Sequence, residues 1–176
     1  MPQRSYNLQR IQTWDEAWCL RFNRANTIPL VHHVFHPISR LGDGIFWYGL
    51  MLWLLVQYHA PAIQPVLHMI AVGAVSTLVY KWLKRKTHRP RPCDANHGIS
   101  RGAAPLDQFS FPSGHTLHAV SFSIVALVYY PALAWLLLPF TALVAISRLV
   151  LGLHYPSDVL AGVLIGVTIA VLSFGI

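Results

Sequence analysis

Five stretches of this chain, residues 44–59, 62–83, 114–130, 132–150 and 157–175, are apolar almost throughout and carry very few charges. Runs of this kind approach the roughly 20 residues that a helix needs to cross the hydrocarbon of a bilayer. Lipid offers the backbone no hydrogen bonds, so a spanning segment must satisfy its own amides and carbonyls as a helix or in a closed barrel. No stretch alternates apolar and polar residues with a period of two, as barrel strands do. The expected fold class is therefore all-α, a polytopic membrane bundle of five transmembrane helices, or six if residues 14–40 also cross. Aromatic residues at the ends of the runs, Trp47, Tyr48, Tyr80, Trp82, Tyr129, Tyr130 and Tyr155, fit the interfacial belts of such a bundle.

Composition agrees. Of the 176 residues 55% are hydrophobic and 11% charged, where a soluble domain carries about a quarter charged residues. The formal net charge is +7, which by itself suits nucleic acid, an anionic membrane surface or a phosphorylated substrate. Apolar spans set nucleic acid aside as a partner and leave the bilayer and a phosphorylated substrate. Two cysteines without metal spacing, Cys19 and Cys93, indicate neither a disulfide framework nor a structural zinc site. The first residues show no short apolar core followed by a small-residue cleavage site, so the spans are expected to do the targeting themselves.

Two units are expected: an N-terminal interfacial amphipathic region over residues 1–40 and a membrane-embedded bundle over 41–176. Within the first, Leu8, Ile11, Trp14, Trp18 and Phe22 recur at threes and fours among Arg, Asp and Glu, the pattern of a helix lying on a membrane as an anchor. The following TIPLVHHVFHPISRLGDG, residues 27–44, is read as a turn or short re-entrant piece because of its Pro and Gly residues. His32, His33 and His36 within it lack a third ligand at metal spacing and are read as interfacial hydrogen-bonding residues. Gly162 and Gly166 form GxxxG, a close-packing signal between helices.

Antiparallel spans joined by short turns bring the end of the second, the start of the third, the end of the fourth and the start of the fifth to one membrane face. Three polar segments sit at those points: KRKTHRPRP at 84–92, FPSGH at 111–115 and SRLVLGLHYPSD at 147–158. A phosphoryl group in transfer spreads negative charge over its equatorial oxygens and requires fixed positive charge and donors around it. Lys84, Arg91 and Arg148 supply charge, and Arg148 does so at the end of an apolar span, where a charge is costly and is retained for a site. Ser113 is suited to cap the third span, with the amides of Gly114 and His115 forming an anion site at the helix start. His115 is in the pKa range of a general acid. Pro156 fits the first turn of the last span, leaving His154 just outside it and Asp158 inside, where the carboxylate can hydrogen-bond and orient the imidazole. The neighbouring Arg85, Lys86 and Arg89 are read as headgroup contacts or topology signals.

Lys84 with Arg91 and Pro92 resembles KxxxxxxRP, residues 112–115 read PSGH, and Ser147 and Arg148 through His154 to Asp158 resemble SRxxxxxHxxxD. In order, on membrane spans, these are similar to the three signatures of the type 2 phosphatidic acid phosphatase family, a resemblance covering roughly residues 40–175. It implies a lipid phosphatase acting on phosphomonoester or pyrophosphate groups, with undecaprenyl diphosphate, phosphatidylglycerophosphate or phosphatidic acid as candidate substrates. It further implies His154 as a nucleophile forming a phosphohistidine, His115 as the acid for the leaving group, Asp158 as the orienter of His154, and Lys84, Arg91, Ser113, Gly114 and Arg148 as the phosphate-binding set. No metal or other cofactor is implied, and the six acidic residues show no cluster of the kind a two-metal phosphatase uses. Two rivals remain: a phosphate-binding transporter or scramblase, against which stands the lack of an internal repeat, and a vanadate-dependent haloperoxidase-like activity, whose known forms are soluble. Basic residues concentrated at the catalytic face favour a cytoplasmic site by the positive-inside rule. The resemblance favours the outer face of the plasma membrane, and the expectation here leans to the outer face.

Overall fold

The computed structural model describes the backbone of residues 2–175 and the side chains of residues 10–175. Helices α1 (Pro2–Arg24) and α2 (Pro29–Arg40) precede α3 (Phe46–Tyr58), α4 (Ile63–Thr87), the single turn α5 (Pro92–Ala95), α6 (Gly114–Tyr129), α7 (Ala134–Val150) and α8 (Pro156–Leu172). The described residues contain no strand. Each of the five apolar runs forms one helix, α3, α4, α6, α7 or α8. The segments Ala60–Ala95 and Pro131–Val150 are long and apolar enough to cross a membrane, and α6 and α8 are shorter apolar helices.

Helix α6 is the axis of the molecule, flanked by α4, α7 and α8. Between them lies a core of Trp47, Leu54, Met69, Phe122, Val125, Leu137, Phe140 and Val144. The outer faces are apolar as well: Leu52, Val56, Leu67, Leu78, Trp135, Leu138, Leu160 and Leu164 are all exposed. Helices apolar on every side belong inside a large core or in lipid.

The register of α8 on α6 is set by the two glycines. A Cβ at Gly162 would stand 2.7 Å from the carbonyl oxygen of Ser113, and one at Gly166 would stand 2.7 Å from that of Leu117. Advancing four residues on each helix moves from one contact to the other, so α6 and α8 run parallel and begin at the same end. The Ser113 N–H donates to the Asp158 carbonyl at 3.0 Å and ties the two starts together.

Residues 27–44 depart from the expected turn. They form α2 and a widened turn, Leu41–Ile45, that kinks into α3 at Gly44 (φ 135°). Pro29 occupies the first turn of α2, where its missing N–H costs nothing, and the flexibility of Gly44 is used at the kink. Helix α1 packs against α7 and α8. It buries Asp15, Cys19 and Asn23, a stripe spaced by fours, while Ile11 and Trp14 are half exposed and Trp18 about a third exposed on the neighbouring face. Residue Leu8 of the expected apolar stripe lies outside the residues whose side chains are described.

Candidate active site

Lys84, Arg91, Gly114, His115 and His154 line one cavity of about 1020 Å³. They come from the end of α4, the start of α5, the start of α6 and the link before α8, so the three polar segments meet as their positions in the chain require. Gly152 (φ 69°) turns the chain between α7 and α8, a conformation glycine adopts without strain. The turn brings the Leu153 and His154 amides back to the Arg148 carbonyl at 3.0 and 3.2 Å.

His154 is 1% exposed. Its Nε2 lies 3.4 Å from Arg91 Nη1, and its Nδ1 lies 3.7 Å from Asp158 Oδ2, beyond hydrogen-bonding distance and with no other partner. Burial, followed by Arg148, Arg91 and Lys84, holds the imidazole well below its usual pKa, which keeps it neutral with a free electron pair. Asp158 is fully buried. Its Oδ2 accepts from the Tyr155 N–H at 2.9 Å, the reciprocal half of a capping box, and its Oδ1 accepts from Arg89 Nη1 at 2.7 Å.

The cations differ in their partners. Lys84 Nζ donates at 2.7 Å to Asp107 Oδ1, and Arg91 Nη2 donates to the same oxygen at 2.7 Å. Arg148 is 2% exposed. It donates Nη1 to the hydroxyl of Ser39, its Nε has no partner, and among the described residues no carboxylate is within 4.0 Å of it. It does not itself line the cavity, but it is close enough to His154 to depress its pKa. A buried guanidinium without a counter-ion is costly and favours an anion nearby.

Ser113 stands at the N-cap of α6, but no side chain caps the helix: its hydroxyl pairs with that of Thr116 at 2.9 Å. The first-turn amides of a helix have no acceptors within it. At Gly114 a Cβ would make only ordinary contact with Tyr80 at 3.5 Å, so packing within the protein does not demand glycine there. What glycine provides is bare backbone in the cavity wall. His115 Nε2 is hydrogen-bonded to Asp43 Oδ1. Burial raises the pKa of Asp43, but His115, Arg148 and Arg40 outweigh it and the net direction is down. Arg40 and Asp43 lie 3.5 Å apart.

Four residues outside the expected set therefore shape the site: Asp15, Asp43, Arg89 and Asp107. Arg89 leaves the group of surface cations, because its guanidinium lies between Asp15 and Asp158. For α1 the available sequence signal is the spacing by fours of Asp15, Cys19 and Asn23, on a face next to that of the aromatics. His118 bonds the Gly114 carbonyl and Thr77 while lining the cavity. His68 bonds Tyr129 and Ser173 between helices. His32 bonds Asn26 and His33 the Pro29 carbonyl.

Beyond the polar end, the cavity continues between α3, α4 and α6 along Trp47, Met51, Ile70, Leu78 and Phe122. The arrangement joins a cluster of cations, three imidazoles and an apolar groove in a single space.

The PAP2 superfamily model matches residues 65–176. Undecaprenyl-diphosphatase BcrC of Bacillus subtilis is 35% identical over 107 residues, 60% of this chain and 50% of that protein. Phosphatidylglycerophosphatase B of the same organism is 33% identical over 169 residues, 84% of this chain and 75% of that protein. The chain spans between a third and a half of the length of the first curated relatives it matches. The crystal structure of a transmembrane PAP2 type phosphatidylglycerolphosphate phosphatase from Bacillus subtilis superposes with a TM-score of 0.75 at 26% identity, covering 94% of this chain and 85% of that one. Aquifex aeolicus LpxE gives 0.74 at 26% identity, covering 88% and 93%.

Proposed function

This chain belongs to the PAP2 superfamily, and from that premise we propose that it is an integral membrane lipid phosphatase that hydrolyses phosphomonoester or pyrophosphate groups. The observation that carries the reading is the one cavity in which Lys84, Arg91, His115 and His154 adjoin an apolar groove. A phosphate head binds at the polar end while its hydrocarbon tail lies between α3 and α4. Undecaprenyl diphosphate, phosphatidylglycerophosphate and phosphatidic acid are the candidate substrates, the first two in keeping with the names of the relatives.

In this reading the Nε2 electron pair of His154 attacks phosphorus, and the bond to the lipid oxygen breaks. The departing oxygen takes its proton from His115, which Asp43 holds in place. A phosphohistidine remains. Water then attacks it, giving its proton to His115, and orthophosphate leaves. Asp158 faces Nδ1 and stabilises the charge on the ring, while Lys84, Arg91, Arg148 and the amides after Ser113 receive the phosphoryl oxygens. No metal enters these steps.

Residues 41–176 form the catalytic bundle of this proposal, with α3, α4, α6, α7 and α8 as five spans. Residues 1–40 form an interfacial region, supported by the exposed Ile11, Trp14 and Trp18 of α1. We place the protein in the plasma membrane with its site toward the outer face. Phosphate release from a panel of lipid phosphates in detergent, with chelator present, tests the function: turnover in the parent and none in His154→Ala is the expected result. Undiminished turnover in that variant rules out the proposed nucleophile.

A further inference from the structure

Among its described residues, helix α1 buries three side chains of different kinds against the bundle. Cys19 Sγ donates to the His154 carbonyl at 3.4 Å, and Asn23 Nδ2 donates to the carbonyls of Val150 and Ser100, both at 2.9 Å. These fasten the helix to backbone. Asp15 does something else. Its Oδ1 accepts from the backbone N–H of Ser157 at 2.9 Å, and its Oδ2 accepts from the Ser157 hydroxyl and from Arg89 Nη2, the latter at 2.7 Å. The other amino group of Arg89 donates at 2.7 Å to Asp158 Oδ1 and at 2.7 Å to Ser157 Oγ. The guanidinium carbon stands 4.0 Å from the centre of the Tyr155 ring. One planar cation is thus shared by two carboxylates, each fully buried.

The Ser157 amide belongs to the first turn of α8, where no acceptor exists within the helix. A carboxylate from another helix fills that place and also favours the helix dipole. Asp158 is the next residue. Its orientation toward His154 is therefore fixed from two sides, by Arg89 at one oxygen and by the clamped backbone of its own turn. Without Asp15, a partly buried guanidinium keeps two of its three acceptors and only one of its two carboxylates, and the Ser157 amide loses its partner.

We infer that Asp15 is a positioning residue for the reaction: acting through Arg89 and Ser157, it sets the carboxylate that faces His154, which makes α1 part of the catalytic apparatus as well as an anchor. The inference rests on the phosphatase reading above. The nucleophile needs a placement accurate to a fraction of an ångström, and Asp15 acts on that placement without touching the phosphate cradle. Its loss therefore lowers kcat and spares KM.

The test measures kcat and KM for phosphate release from dioctanoyl phosphatidate and farnesyl diphosphate in detergent, together with Tm, for the parent, Asp15→Asn, Arg89→Lys, their double variant, Asn23→Ala and His154→Ala. Asp15→Asn and Arg89→Lys are each expected to lower kcat roughly 10- to 100-fold, the scale of a misplaced reacting group. KM should stay within about twofold. The double variant should be no slower than the worse single one, because both changes break the same bridge. Asn23→Ala, which loosens α1 elsewhere, should lower Tm and leave kcat intact. Parent-like kcat in Asp15→Asn, multiplying losses in the double variant, or losses that follow Tm through Asn23→Ala would each overturn the inference. Should Asp15→Asn fail to fold, Arg89→Lys decides by the same kcat criterion. A dead His154→Ala beside a fully active Asp15→Asn sinks this inference alone, whereas an active His154→Ala sinks the phosphatase reading with it.

Discussion

His154 Nδ1 stands 3.7 Å from Asp158 Oδ2, while both oxygens of that carboxylate are already held, one by Arg89 and one by the Tyr155 amide. The carboxylate is clamped first and faces the imidazole second. On the proposed mechanism its service to His154 is electrostatic and orientational, with a small approach closing a hydrogen bond when the ring becomes positively charged.

Asp158→Asn keeps the size of the side chain and removes its charge. The amide cannot stabilise a phosphorylated, cationic ring, so kcat should fall roughly 100-fold or more, as when the orienting carboxylate of a histidine is neutralised elsewhere. Burst-phase measurement of the leaving group, which departs as the phosphohistidine forms, places the loss in formation of the covalent intermediate. Parent-like kcat would contradict the role.

The pH dependence follows from the depressed pKa of His154. Attack requires the neutral ring, and a lowered pKa keeps it neutral as pH falls through the ordinary histidine value near 6.5. The acid limb of kcat/KM, which reports the free enzyme, should therefore lie well below pH 6.5. Stability runs the other way. Below pH 6.5 the unfolded chain takes up a proton that the native ring refuses, so this residue lowers stability as pH falls. A kcat/KM profile halved near pH 6.5 by a single histidine would refute the neutral-ring account.

Asp107 is about a third exposed and bonds both Lys84 and Arg91. A phosphate needs the same two cations, so carboxylate and phosphate oppose each other there. Asp107→Asn should tighten inhibition by orthophosphate about three- to tenfold, in line with the ~1 kcal/mol of a partly exposed pair. Weaker inhibition would mean that Asp107 serves the cradle by ordering its cations.

Gly162→Ala and Gly166→Ala each drive a methyl group against a backbone carbonyl of α6. Overpacking of this kind costs about 1–3 kcal/mol, to be read as a lower Tm in detergent. The Gly162 contact is with Ser113 itself, so Gly162→Ala should lose more activity than Gly166→Ala at equal loss of Tm. Equal activity in the two variants would separate helix packing from the site.

The helices and their shared polar end were legible because each rests on local information. Run length marked the spans, Pro156 marked the start of α8, and GxxxG marked its packing face. The clustering of Lys84, Arg91, His115 and His154 then followed from helix count alone. What escaped was the set of counter-charges. Asp15 and Arg89 are 74 residues apart, and Asp43 reaches His115 over 72. No periodicity announces such pairs, and an isolated Asp beside aromatics reads as the solvated side of an amphipathic helix. The bend between α2 and α3 was half visible: Gly44 was recognised as a breaker, but only tertiary packing shows that the chain resumes helix on both sides of it.

The close seating of α8 on α6 has a further consequence. With Gly162 and Gly166 pressed against opposing carbonyls, those two helices cannot part without losing their contact, and the His115 and His154 side of the cavity rests on their joined ends. Helix α4 is also close against α6, where a Cβ at Gly73 would meet the Phe122 ring at 2.8 Å, so of the two helices beside the groove α3 is the more loosely held. On the phosphatase reading, a tail lying in the groove follows that helix, so a bulkier one slows arrival and departure while the chemistry at the far end stays the same.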